Sequence, residues 1–246
     1  MGKEFYRWQA NQGEDHMYAT LAKKLSIPAL LSFNDGFLDT AGFVGLQGLF
    51  TAHVTGNFVT LGATLISGTH GVLAKVLALP EFIAVVALAR VVGVALASRQ
   101  MPALRVLVCA KVLLLLVFFG LAVTLGPFAD SDAPSALLAG FAGIAAMALQ
   151  NAIQRVHLSK LPPSTLMTGN TTQAVLDAVD LWRDVDPGEA AALRARFGRM
   201  LRSILWFAAG CAGAASLYRW TGFWSLAMPA VVGVATALTP GLEESS

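Results

Sequence analysis

Hydrophobic residues fall into eight stretches: 27–46, 50–67, 80–98 and 104–126, then 135–154, 164–181, 203–218 and 222–240. The breaks between them are turn chemistry. Pro80 opens the third stretch, and Met101-Pro102 parts it from the fourth. Gly126-Pro127, Asp130, Asp132 and Pro134 end the first set, Pro162-Pro163 precedes the sixth stretch, and Gly222 divides the last two. The third and fourth are long enough to cross about 30 Å of hydrocarbon as helices. The longest polar interval lies between 182 and 202. In it Leu193, Phe197, Met200 and Leu201 recur at spacings of three and four among Arg194, Arg196, Arg199 and Arg202. The pattern over 183–202 predicts a basic amphipathic helix on a membrane surface, with a solvated loop as the alternative.

Composition turns this pattern into a class. Of 246 residues, 56% are apolar and only 13% charged, against about 25% charged in a soluble domain. So little charge cannot clothe a globule of this size, so the chain reads as an all-α integral membrane protein. A scattered net charge of +2 gives no footprint for nucleic acid. Cys109 and Cys211 lie inside apolar runs and read as small hydrophobes. Residues 1–25 mix acidic and basic side chains without an apolar leader core, which predicts a cytoplasmic tail. Residues 26–240 form one predicted transmembrane domain, followed by a short tail at 241–246.

The chain repeats itself. Thr55-Gly56-Asn57 opens the apolar part of the second stretch, and Thr168-Gly169-Asn170 opens that of the sixth. Asp39 precedes the first triplet, and Gln150 and Asn151 precede the second, each in the preceding apolar stretch. A short run and two full runs follow each triplet. This predicts a duplication, with repeat 1 at about 26–126 and repeat 2 at about 134–240.

The segments from Asp35-Gly36-Phe37-Leu38-Asp39 to His53-Val54-Thr55-Gly56-Asn57, and Leu149-Gln150-Asn151-Ala152 with Leu166-Met167-Thr168-Gly169-Asn170, resemble the two motifs of the YoaK-like bacterial membrane proteins, domain of unknown function 1275. The resemblance covers roughly 25–240. It implies an integral inner-membrane protein, usually described with six spans, and implies no particular reaction. The matching positions are Asp39, His53, Thr55, Gly56, Asn57, Gln150, Asn151, Thr168, Gly169 and Asn170.

Charge decides between two layouts. If all eight stretches span, ten Lys and Arg fall inside and five outside. If the stretches at 50–67 and 164–181 are re-entrant half-helices, the inside holds thirteen and the outside only Lys75 and Arg219. Arg90 and Lys111 stay within the membrane in both. The second layout is preferred: six full spans plus two re-entrant half-helices, with inverted repeats and both termini in the cytoplasm.

Asn is a good N-cap and Gly tolerates close or unusual backbone, so each triplet reads as a helix start. A helix start deep in a bilayer must face protein or a watery cavity, as broken helices do at solute sites. That predicts substrate contacts from Asp39, His53 and the two triplets, with Gln150 and Asn151 behind them. Asn57 and Asn170 are expected to meet at one shared site. Asp35 and Asp39 share a helix face and need a partner or a proton. Arg90 and Lys111 are the candidate partners, for coupling or for a fixed ion pair. HExxH, GxSxG, Walker A and CxxC patterns are missing, and nothing points to an enzyme, a metal or a cofactor. The expected function is a small-solute transporter or channel-like facilitator. The alternative is a membrane scaffold that binds a partner. The expected partners are the lipid bilayer and a small solute, and self-association is compatible with either reading.

Overall fold

The computed structural model describes residues 27–183 and 186–239. The expected tails at 1–25 and 241–246, and Asp184 in the basic segment, lie outside the described residues. Within them the regular structure is helical: α1 (Ile27–Gly45), α2 (Gly56–Ser67), α3 (Val72–Ser98), α4 (Ala103–Leu125), α5 (Pro134–Val156), α6 (Met167–Trp182), α7 (Pro187–Thr221), a 3-10 turn (Gly222–Leu226) and α8 (Ala227–Ala237). Four described stretches are long and apolar enough to cross a membrane: α3, α4, α5 and the run Pro187–Ala237. The outer surface is itself apolar. Ile66 is 90% exposed, and Val59, Leu88, Val91 and Leu113 are also exposed. The interior holds Asn34, Asp35, Asp39 and Lys111, each almost fully buried. Apolar outside and polar inside is the arrangement a lipid solvent favours, and it makes this a multi-pass membrane protein.

Two helix boundaries differ from the sequence reading. Pro80 lies inside α3, which starts at Val72. Proline removes one ladder hydrogen bond, but the apolar residues on both sides continue the helix, and membrane helices tolerate the loss where neighbours pack against them. The basic segment is not a separate helix. Its described residues from Pro187 onward form the first half of α7, which runs unbroken for 35 residues, roughly 52 Å at 1.5 Å per residue. Arg196 explains why this half stays attached. Its guanidinium donates to both carboxylate oxygens of Asp177 on α6, at 2.9 and 2.6 Å, and Gln173 donates to the same carboxylate.

Helix pairing has a two-fold pattern. α1 packs on α7 as α5 packs on α3. α2 packs on α3 as α6 packs on α7, and α4 on α5 as α8 on α1. Exchanging α1–α4 for α5–α8, with the 3-10 turn counted with α8, leaves these pairings unchanged. Close packing of α1 and α7 depends on two glycines. A Cβ on Gly36 would fall 2.2 Å from the Phe207 carbonyl oxygen, and one on Gly210 2.2 Å from that of Phe33.

Contacts at the two ends fix helix directions. Ile27 and Leu31 of α1, Ala89 of α3, Leu104 and Leu107 of α4, Ile153 of α5 and Ala237 of α8 belong to one apolar cluster. At the other end Gln47 donates to the Phe128 carbonyl at 3.0 Å, and Asp132 accepts from the N–H groups of Gly71 and Ala74 at the start of α3. Ser32 bonds Ser203, while Gly45 packs on Tyr218, so α7 runs alongside α1 in the same sense. Thus α1, α4 and α7 point one way and α3, α5 and α8 the other.

Candidate functional site

Backbone in a buried loop must find hydrogen-bond partners, and the loop before α2 finds them on α1. Asp39 accepts from the N–H groups of Ala52 and His53, at 2.7 and 3.1 Å, with one oxygen. Its other oxygen bonds His53 Nδ1. Thr51 donates to the Leu38 carbonyl. Asn57 closes the loop, accepting from Phe50 N–H at 2.8 Å and donating to the Phe50 carbonyl at 3.0 Å.

The loop before α6 is built the same way. Thr165 donates to Asn151 at 2.8 Å, and Asn151 donates to the Met147 carbonyl. Asn170 donates to the Pro163 carbonyl at 2.8 Å, reaching seven residues back as Asn57 does. Asp39 and His53 stand fourteen residues apart, as do Asn151 and Thr165. Gln154 accepts from Ser164 N–H and Oγ. Gln150 donates to Ser164 and to the Leu31 carbonyl of α1.

The two loops meet. His53, Val54 and Thr55 from the first and Thr165 to Gly169 from the second line one open cavity of about 300 Å³, with Asn151, Leu79 and Phe82 completing the wall. A smaller cavity of about 100 Å³ shares Asn151 and Thr165 and runs to Gln154, Arg155 and Ser159. The polar lining is one imidazole, three threonine hydroxyls and one amide. The first turn of α6 adds the N–H groups that a helix start leaves unbonded.

The sequence-derived candidates separate into groups. His53, Thr55, Asn151, Thr168 and Gly169 line the cavity, and Asp39 orients His53 from behind. Asn57 and Asn170 do not line it. Both are buried, and their amides are taken up by their own loops. Nor do they cap the helices. α2 starts at Gly56 after Thr55, and α6 starts at Met167, ahead of its triplet, with no side-chain cap on either. The reason is the demand of the half-buried Phe50 and Pro163 backbone for partners in loops that make no regular ladder. Gly56 packs on the Phe50 ring, and Gln150 is buried beside Ser164.

Asp35 lies deeper, fully buried beside Lys111 and Ser164. Neither of its oxygens, nor Lys111 Nζ, nor either amide atom of Asn34 has a hydrogen-bond partner among the described residues. Lys111 is therefore the cation that faces Asp35. Arg90 is not: it is exposed and lines a separate cavity with His157. It occupies the outer side of α3, which the sequence spacing did not reveal.

Sequence reasoning missed Ser164, Thr165 and Gln154, which hold the second loop, and the pair between buried Asp177 and half-exposed Arg196. For Ser164 and Thr165 the available signal was position. Ser164 and Thr165 precede the second triplet as Thr51 and Ala52 precede the first.

The chain belongs to the family described as Protein of unknown function (DUF1275), whose model matches residues 27–239. No curated protein and no solved structure matches the chain.

Proposed function

We propose that this DUF1275 family member carries a small polar solute across the bacterial inner membrane, through the cavity where its two Thr-Gly-Asn loops meet. One observation carries the reading: two separate, similarly built loops contribute hydroxyls, an imidazole and a helix start to a single cavity. In transporters such irregular backbone within a membrane protein accompanies a solute site. Among the described residues, no lysine, arginine or free carboxylate lines the cavity; its wall is mostly apolar, and hydroxyl and N–H groups supply most of its polar atoms. These favour a solute rich in hydrogen-bond acceptors, either neutral or a weak acid. The chemistry is passage rather than reaction, so we assign no catalytic residue.

The layout that goes with this function has six spans, α1, α3, α4, α5, α7 and the 3-10 turn with α8. α2 and α6 enter as half-helices from opposite faces. Twelve residues in α2 make roughly 18 Å, too short for about 30 Å of hydrocarbon. The alternation of helix directions and the two-fold pairing support inverted repeats from a duplication. The end shared by Ile27 and Ala237 carries Arg99, Arg105, Arg155, Lys160, Arg183 and the four arginines 194–202, which supports a cytoplasmic assignment for that end and both termini. His53 on the cavity wall with Asp39 behind it, and Asp35 with Lys111 deeper still, supply titratable groups able to couple a proton to solute passage.

The competing reading, a scaffold without transport, draws on the way Asn57 and Asn170 serve their own loops. Reconstituted protein separates the two. Proteoliposomes shrunk by a panel of small polar solutes are expected to re-swell faster than protein-free liposomes for at least one solute, and Thr55→Val with Thr168→Val to slow that recovery. Recovery equal to protein-free liposomes for every solute, from protein that melts cooperatively, would favour the scaffold.

A further inference from the structure

A third cavity, of about 420 Å³, opens between the end of α3, the start of α4 and the end of α5. Its walls are small and apolar, including Ala89, Gly93, Ala97 and Ala152, and its polar groups include Arg90 and His157. Arg90 is unusual in being an exposed cation on an apolar, membrane-crossing helix. It precedes the helix end at Ser98 by roughly 12 Å, in a helix roughly 40 Å long. That depth is a few ångströms inside the hydrocarbon, within reach of the phosphate layer for a side chain that extends toward the surface. His157 Nε2 is buried without a hydrogen-bond partner among the described residues.

The pairing symmetry makes this opening specific. The corresponding junction joins the end of α7, the 3-10 turn and the end of α1, and there aromatic rings fill the space. A Cβ on Gly45 would fall 2.5 Å from the Phe223 ring and 2.9 Å from the Tyr218 hydroxyl. Phe223 in turn packs edge-on against Phe128 and Tyr218. One junction is sealed, and the other is left open with a cation at its rim.

We propose that the open junction binds an anionic phospholipid, with its phosphate on Arg90 and His157 and an acyl chain along the Ala89–Gly93–Ala97 wall. Guanidinium matches phosphate in both charge and fork geometry. Burial and the neighbouring Arg90 hold the His157 imidazole below its usual titration range, leaving it neutral and able to donate one hydrogen bond. Arg99 and Arg155 at the same end add the positive field that selects anionic headgroups. A free phosphate would use the rim and leave the apolar wall uncovered, whereas a lipid uses both. This site is separate from the solute cavity and stands without it.

Native mass spectrometry of the purified full chain tests the site, using phosphatidylglycerol and phosphatidylcholine with identical acyl chains. The expected result is a retained one-to-one phosphatidylglycerol adduct and weaker retention of phosphatidylcholine. Arg90→Ala is expected to weaken the adduct about tenfold. Gly93→Leu, which fills the groove and keeps Arg90, is expected to do the same, and Arg199→Ala to leave it unchanged. Equal retention of the two lipids, retention unaffected by both groove variants, or displacement of the lipid by inorganic phosphate would overturn the proposal. Gly93 has open surroundings, with only a Leu107 methyl at 3.8 Å from an added Cβ, so that variant tests the site even if Arg90→Ala fails to fold.

Discussion

Removing the amide of Asn57 strips a partner from both the N–H and the carbonyl of Phe50. Removing that of Asn170 strips one from the Pro163 carbonyl. An orphaned buried group costs about 1–3 kcal/mol, so Asn57→Ala should destabilise the protein by roughly twice as much as Asn170→Ala. Thermal unfolding in detergent measures the difference, and equal shifts would contradict the loop assignment. At this scale the sequence spoke clearly about which residues matter and poorly about what they touch. The paired triplets stand out in the one-dimensional pattern. That Asn57 would turn back onto Phe50, and that the hydroxyl of Thr55 would face the cavity instead, depends on loop backbone that no periodicity encodes. Asp39 and His53 were both legible as candidates, but their bond joins a helix to a loop fourteen residues on.

Among the helices, the α1–α7 crossing is the contact most sensitive to single atoms. Gly36→Ala and Gly210→Ala each place a methyl 2.2 Å from a backbone oxygen of the facing helix. Each is expected to cost about 1–3 kcal/mol by forcing the helices apart. Gly198→Ala in the same α7 meets nothing within 4 Å and should be neutral or stabilising by roughly 0.5–1 kcal/mol, the ordinary helix preference for alanine over glycine. Melting temperatures that fall equally for all three would contradict the crossing.

The start of α3 has a different support. Burial pushes the Asp132 carboxyl up, and the N–H groups of Ala74, Leu73, Gly71 and Val72 more than offset this, so it titrates below the usual carboxylate range. A depressed carboxyl contributes its stability fully above its unfolded value, about 3.9, and loses it as pH falls through the folded value. The stability gap between wild type and Asp132→Asn is therefore expected to be constant near neutral pH and to close under acid. A gap that widens under acid would contradict the assignment. Pro80 was misread as a boundary because proline's cost is local, while the apolar continuity from Val72 to Ser98 is worth more over the whole helix.

For the whole molecule, the proposed duplication draws on the triplets and the runs that follow them, and the two-fold helix pairing supports it. The filling of one junction by Phe223 and the opening of the other beside Arg90 were not visible, because they depend on which faces of three helices converge. The layout makes a prediction that separates six spans from eight. In intact cells, with Cys109 and Cys211 replaced by alanine, Ser67→Cys should react with an impermeant thiol reagent. Lys160→Cys should react only after permeabilisation. Eight spans require the reverse.

Passage of solute between the two loops is open to one direct measurement. In the same cysteine-free background, Thr55→Cys and Thr168→Cys are introduced one at a time, and solute-driven re-swelling of proteoliposomes is followed before and after a bulky thiol reagent. The cavity lined by both residues predicts that modification at either position blocks re-swelling, and that the permeant solute slows modification at both. Unchanged re-swelling after complete modification of both positions would contradict it.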